Sequence, residues 1–168
     1  GVDSTVGAGS VFWIELLSVD APQAIDEGNE SAASASPPVA PGARLRTLLC
    51  VEDNPANLKL VEQLIARCPD MRLLTAANGT AGIEIARASQ PEVILMDINL
   101  PDISGIEAMR ILRNDPTTAH IPVIALSANA MPRDIEMGLK SGFFRYLTKP
   151  IKLREFMDAL NAALEVAD

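Results

Sequence analysis

From residue 47 onward, apolar positions follow two alternating periods. Thr47-Leu-Leu-Cys-Val51, Glu92-Val-Ile-Leu-Met-Asp97 and Ile121-Pro-Val-Ile-Ala-Leu126 are near-continuous apolar runs, the pattern of strands covered on both faces. Met71–Thr75 and Phe143–Leu147 complete a set of five predicted strands. Between them the period lengthens to that of a helix. Leu58, Val61 and Ile65 share a face over 55–67, behind Asn54-Pro55 as N-cap and first helical position. Further helices are predicted over 80–88 after Asn78-Gly79, over 105–113 after Pro101-Asp-Ile-Ser104, and over 132–140. The last spans 153–166, with Leu153, Phe156, Met157, Leu160 and Leu164 as its stripe. Five strands alternating with five helices predict an α/β fold, a parallel sheet with helices on both faces.

The pattern before residue 47 differs. Ser10–Leu17 alternates with Phe12, Ile14 and Leu16 on one side and predicts a single strand, punctuated by Gly7 and Gly9. A lone strand needs partners, so this segment reads as the end of another domain. Residues 21–43 are rich in Ala, Ser and Pro, lack aromatics and hold no apolar period, so they bury too little surface to offset their ordering entropy. The expected organisation is a domain remnant over 1–18, a disordered linker over 19–46 and one domain over 47–168.

Composition narrows the function. The 168 residues are 48% hydrophobic but only 4% aromatic, so the core is aliphatic. With 14 basic and 22 acidic residues the formal charge is −8, which argues against a nucleic-acid or anionic-membrane binder. No apolar run reaches the ~18–20 residues of a membrane span. Cys50 and Cys68 make neither a disulfide framework nor a zinc site by themselves. A reducing, cytoplasmic setting is therefore expected. His120 is the only histidine and reads as a loop residue.

Chemistry in an open α/β sheet gathers beyond the carboxyl ends of the strands. Those ends carry Glu52 and Asp53, then Asp97, then Ser127, then Lys149. Three carboxylates, a hydroxyl and an ammonium in one cleft are hard to explain as packing, because like charges repel unless a cation relieves them. An all-oxygen ligand set favours a hard ion that keeps several waters, the Mg²⁺ pattern. Each residue has a blander role as helix cap, turn residue or surface charge, and the case rests on their convergence.

Glu52-Asp53-Asn54, Leu95-Met-Asp-Ile-Asn-Leu-Pro-Asp-Ile-Ser-Gly105, Ala125-Leu-Ser-Ala-Asn-Ala130 and Tyr146-Leu-Thr-Lys-Pro150 together resemble the receiver domain of two-component signalling, over roughly residues 47–166. The resemblance implies a flavodoxin-like sheet of order 2-1-3-4-5. It implies Asp97 as phosphoacceptor, and Mg²⁺ held by Glu52, Asp53, Asp97 and the backbone carbonyl of Asn99. Ser127 and Lys149 would contact phosphoryl oxygens, and no further cofactor is expected. Tyr146 matches an aromatic switch position, with a half-buried core aromatic as the alternative reading. The Lys149–Pro150 bond matches one that is often cis.

Gly7-Ala-Gly-Ser-Val-Phe-Trp-Ile-Glu-Leu16 resembles the last strand of a sensor histidine kinase ATP-binding domain. The expected parent is a hybrid histidine kinase that phosphorylates this domain in cis. The expected next partner is a histidine phosphotransfer protein, and the chain itself is expected to be monomeric and not membrane-bound. The ATP-lid glycines, magnesium asparagine and dimerisation histidine of such kinases are missing from these residues, so enzymatic activity reduces to the chain's own aspartyl phosphorylation and dephosphorylation. Three rivals remain: a flavin-binding module, a haloacid-dehalogenase-type phosphatase and a degenerate receiver that only docks proteins. The first lacks a phosphate-cradling loop after Val51, and the second lacks an acid where Asn99 stands.

Overall fold

The computed structural model describes residues 2–5, 9–12, 45–128 and 131–167. The chain divides into two compact units, Gly1–Ser34 and Ala35–Asp168. The first contains strands β1 (Val2–Thr5) and β2 (Gly9–Phe12), paired antiparallel from Val2↔Phe12 to Thr5↔Gly9. The expected strand over 10–17 is present where it is described, at 10–12, and the structure adds a second strand, β1, as its partner. The pairing begins earlier, and β1 was not predicted because Val2-Asp-Ser-Thr5 carries a single apolar residue. Positions 13–17 and the linker up to residue 44 lie outside the described residues.

The second unit runs β3 (Arg46–Val51), α1 (Pro55–Ile65), β4 (Met71–Ala76), α2 (Gly79–Ser89), β5 (Val93–Asp97), α3 (Gly105–Asn114), β6 (Val123–Ser127), α4 (Pro132–Lys140), β7 (Arg145–Thr148) and α5 (Leu153–Ala167). The five strands are parallel in the order β4-β3-β5-β6-β7, which is 2-1-3-4-5 within this unit, as expected. The expected boundaries shift by one or two residues in most elements, for instance in the first and last strands of this unit. β3 begins at Arg46, one residue inside the predicted linker. β7 begins at Arg145 rather than 143, because Phe143 is buried in the core before the chain enters the sheet.

Alternate residues of each central strand feed two cores. Leu48, Cys50, Leu95, Ile124 and Leu126 pack with α1 and with Phe156, Leu160 and Leu164 of α5. Leu49, Val51, Ile94, Met96 and Ala125 pack with Ile83 and Ala86 of α2 and Met109 and Leu112 of α3. Every residue of β5 and β6 is buried, which explains why these runs show no polar alternation. Helix starts follow the capping residues in the sequence. Asn54, Asn78 and Ser104 accept hydrogen bonds from the amides of Ala56, Ala81 and Glu107.

Candidate functional site

Parallel strands all point their carboxyl ends the same way, and the register places the chemistry there. β3 runs straight into Glu52 and Asp53, Asp97 closes β5, Ser127 closes β6, and Lys149 follows β7. Glu52 and Asp97 are buried at 1% and 2% exposure, Ser127 is equally buried, and Asp53 faces solvent. One ligand oxygen from each of Glu52, Asp53 and Asp97 lies within 4.8 Å of the others.

Lys149 enters this cluster from the side. Its Nζ donates to Asp97 Oδ2 at 2.7 Å and to Glu52 Oε1 at 3.1 Å. Glu52 Oε1 also accepts from the Asn54 amide and from Asn57 Nδ2. Its buried Oε2 lies 2.8 Å from Nζ, an ion-pair contact whose direction does not meet hydrogen-bond geometry. Burial lowers the pKa of the Lys149 ammonium, but the hydrogen bonds and charges of Asp97 and Glu52 outweigh that effect and leave it raised. Three carboxylates against one ammonium leave a formal charge of −2, which one divalent cation would neutralise. The donor set is hard oxygen throughout, and an under-satisfied buried carboxylate oxygen sits within it, so the residues fit Mg²⁺.

The loop after β5 holds its shape through its own backbone. The Asn99 amide donates to Asp97 Oδ1 at 3.0 Å, and the Gly105 amide donates to the Ile98 carbonyl at 2.9 Å. A Cβ at Gly105 would overlap the Asp97 carbonyl, so the return of the chain into α3 requires glycine. The Lys149 amide donates to the Ser127 carbonyl at 2.7 Å, and the Lys149–Pro150 bond is cis, as expected.

Tyr146 is half-buried in β7 and borders a cavity of about 90 Å³ with Ile98, Asn99, Ile106, Ser127, Met137 and Gly138. Its ring edge lies 2.8 Å from where a Cβ at Gly138 would sit, so only glycine at that point of α4 leaves the ring its present place. The sequence reading missed Asn57, which comes within reach of Glu52 one helical turn into α1, and Asp102, whose carboxylate binds the start of α2. An Asn or Asp in such a place carries no period, and the partners of Asp102 lie 22 and 23 residues away. His120 sits in an exposed turn after α3, away from the cluster. The Cys50 thiol is pushed up to about 12 by burial, which makes it a core residue and no nucleophile.

The model of the response regulator receiver domain matches residues 48–161. The chain belongs to the receiver domain family. It is similar to the polar-differentiation response regulator DivK of Brucella anthropi, at 37% identity over 119 residues, covering 71% of this chain and 96% of DivK. Among solved structures it resembles the receiver domain of a sensor histidine kinase from Pseudomonas aeruginosa PAO1, at 34% identity and a TM-score of 0.65, covering 71% of this chain and 98% of that one. That structure has a magnesium ion coordinated in its active-site cleft. The receiver domain of a signal transduction histidine kinase from Syntrophus aciditrophicus matches at 25% identity and a TM-score of 0.65, over 71% of this chain and 90% of its own. This receiver domain is therefore a module of two-component signalling, and no helix among its described residues is long and apolar enough to cross a membrane.

Proposed function

We propose that this receiver accepts a phosphoryl group from a phosphohistidine onto Asp97 and passes it to a histidine phosphotransfer protein. The observation that carries the proposal is Lys149 Nζ held between Asp97 and Glu52 beside the exposed Asp53, a preorganised positive charge within a net-negative cleft. A carboxylate oxygen of Asp97 attacks phosphorus, a P–O bond forms, the P–N bond breaks, and the departing imidazole nitrogen takes a proton from solvent. Glu52, Asp53, Asp97 and the Asn99 carbonyl would hold Mg²⁺, which when bound offsets charge on the phosphoryl oxygens. Lys149 shifts from carboxylate to phosphoryl oxygen as charge builds there, and Ser127 donates its hydroxyl to another. Added charge of about −1.5 to −2 then draws Ser127 inward. Tyr146 follows into the cavity it shares with Ser127 and changes the surface of α4 and β7.

The parent in this proposal is a hybrid histidine kinase acting in cis, and the receiver works on the cytoplasmic side as a monomer. The kinase-derived receivers among its structural neighbours support that parent, as does a separate β-containing unit ahead of the receiver. The test is phosphorylation by acetyl phosphate, or beryllofluoride binding, with Mg²⁺, followed by amide resonances. Shifts at Asp97, Ser127 and Lys149 are expected, and their persistence in Asp97→Asn would overturn Asp97 as acceptor. A docking-only module would show neither response.

A further inference from the structure

Asp102 lies five residues beyond the proposed acceptor, in the loop between β5 and α3, and its carboxylate is fully engaged across the fold. Oδ1 accepts from the Gly79 amide at 2.8 Å, and Oδ2 accepts from the Thr80 amide at 2.8 Å and the Thr80 hydroxyl at 2.6 Å. Helix α2 already has a cap in Asn78, which takes the Ala81 amide. Asp102 therefore satisfies the two remaining donors of the first turn from 22 and 23 residues away, where a helix start also favours a negative charge. Those hydrogen bonds, the Thr80 hydroxyl's foremost, hold its carboxyl well below the usual range, so the clamp stays ionised at neutral pH. Steric fit reinforces the contact. A Cβ at Gly79 would come within 2.6 Å of Ile103 Cγ1, so Gly79 lets the loop lie directly on the helix start.

The loop is thus pinned at both ends and in the middle. Asn99 ties its beginning to Asp97, Gly105 and the Ser104 cap tie its end, and Asp102 ties the span between them to α2. We infer that Asp102 is a positioning residue for the metal site: through the Thr80 clamp it fixes the loop that carries Asn99, whose amide is tied to Asp97 and whose carbonyl would be a ligand, and so sets the affinity for Mg²⁺. This rests on the metal reading under Proposed function.

Calorimetric titration of the full chain with MgCl₂ tests it. Asp102→Asn should weaken Mg²⁺ about tenfold, near the lower end of what loss of a metal-supporting partner causes, and Thr80→Val, which keeps the amide bond, about threefold. In both variants the Asn99 amide, which donates to Asp97, should exchange faster with deuterium in metal-free protein. Arg87→Ala is the control. It removes the 2.7 Å pair with Asp115 near the other end of α2 and should lower stability with Mg²⁺ affinity unchanged. Unchanged affinity in Asp102→Asn and Thr80→Val, beside saturable binding by the parent chain, overturns the clamp alone. A parent chain that binds no Mg²⁺ overturns the metal reading and the clamp with it. Arg87→Ala weakening Mg²⁺ as much as Asp102→Asn would show that loss of stability suffices, and would also overturn the clamp.

Discussion

Two groups of carboxylates in this molecule are handled in opposite ways. Asp102, exposed, and Asp115, half-buried, are fully matched: Asp102 by the start of α2, Asp115 by the Thr117 hydroxyl and amide and by Arg87. Glu52 and Asp97 are buried, share one lysine and stand beside a third acid. The matched pair costs little to maintain and organises loops. The crowded pair gathers negative charge around one ammonium, a repulsion that a divalent cation would relieve. Burial without full compensation therefore marks the candidate site here, and complete hydrogen bonding the scaffold.

The largest break in that contrast is Lys149→Met. It leaves two buried carboxylates without their counter-charge, and unfolding by denaturant should show a loss of about 2–3 kcal/mol, below the full cost of breaking a buried pair because the lysine side chain is 19% exposed. Next comes Mg²⁺ itself, which relieves the same repulsion. At a concentration of about five times Kd it should raise the unfolding free energy by about 1 kcal/mol, and a thermal midpoint indifferent to Mg²⁺ would remove the contrast.

Extremes of pH sharpen it further, because the two groups should fail at opposite ends. The Lys149 pKa is raised on folding, so its stabilisation is complete below the ordinary value of 10.5 and disappears as pH climbs through the higher folded value. Asp115 is lowered from 3.8 to about 2, by the Thr117 hydroxyl first, then the Thr117 amide and Arg87. Its stabilisation is complete above 3.8 and fades as pH falls towards 2. Stability against pH for Lys149→Met and for Asp115→Asn should lose the alkaline and acid limbs respectively. The smallest effect is Asp115→Asn at neutral pH, a slight fall in melting temperature with Mg²⁺ affinity untouched.

The sheet was legible because its central strands are almost wholly apolar and the first three helices carry both stripes and caps. The convergence of the candidate residues was legible for a related reason: a strand as apolar as β5 that ends in Asp97 advertises the exception, and the parallel order sets the other strand ends beside it. Within the receiver domain, what the sequence hid were partners rather than elements. Asp102 looks like a turn residue until α2 is laid against it, and Gly138 looks like a weak point in a helix until the Tyr146 ring is beside it. The β1–β2 pairing was missed for lack of an apolar period in Val2–Thr5.

The order of the sheet also divides the chemistry. A single ladder, β5 with β6, joins the half that supplies Glu52, Asp53 and Asp97 to the half that supplies Ser127 and Lys149. Scission in the exposed turn at Pro116–Thr117 would yield one fragment holding Glu52, Asp53 and Asp97 and another holding Ser127 and Lys149. Neither piece alone would carry the whole cluster, whose two parts meet across the β5–β6 seam and under α5, where Phe156 and Leu160 pack with Leu48 and Leu95.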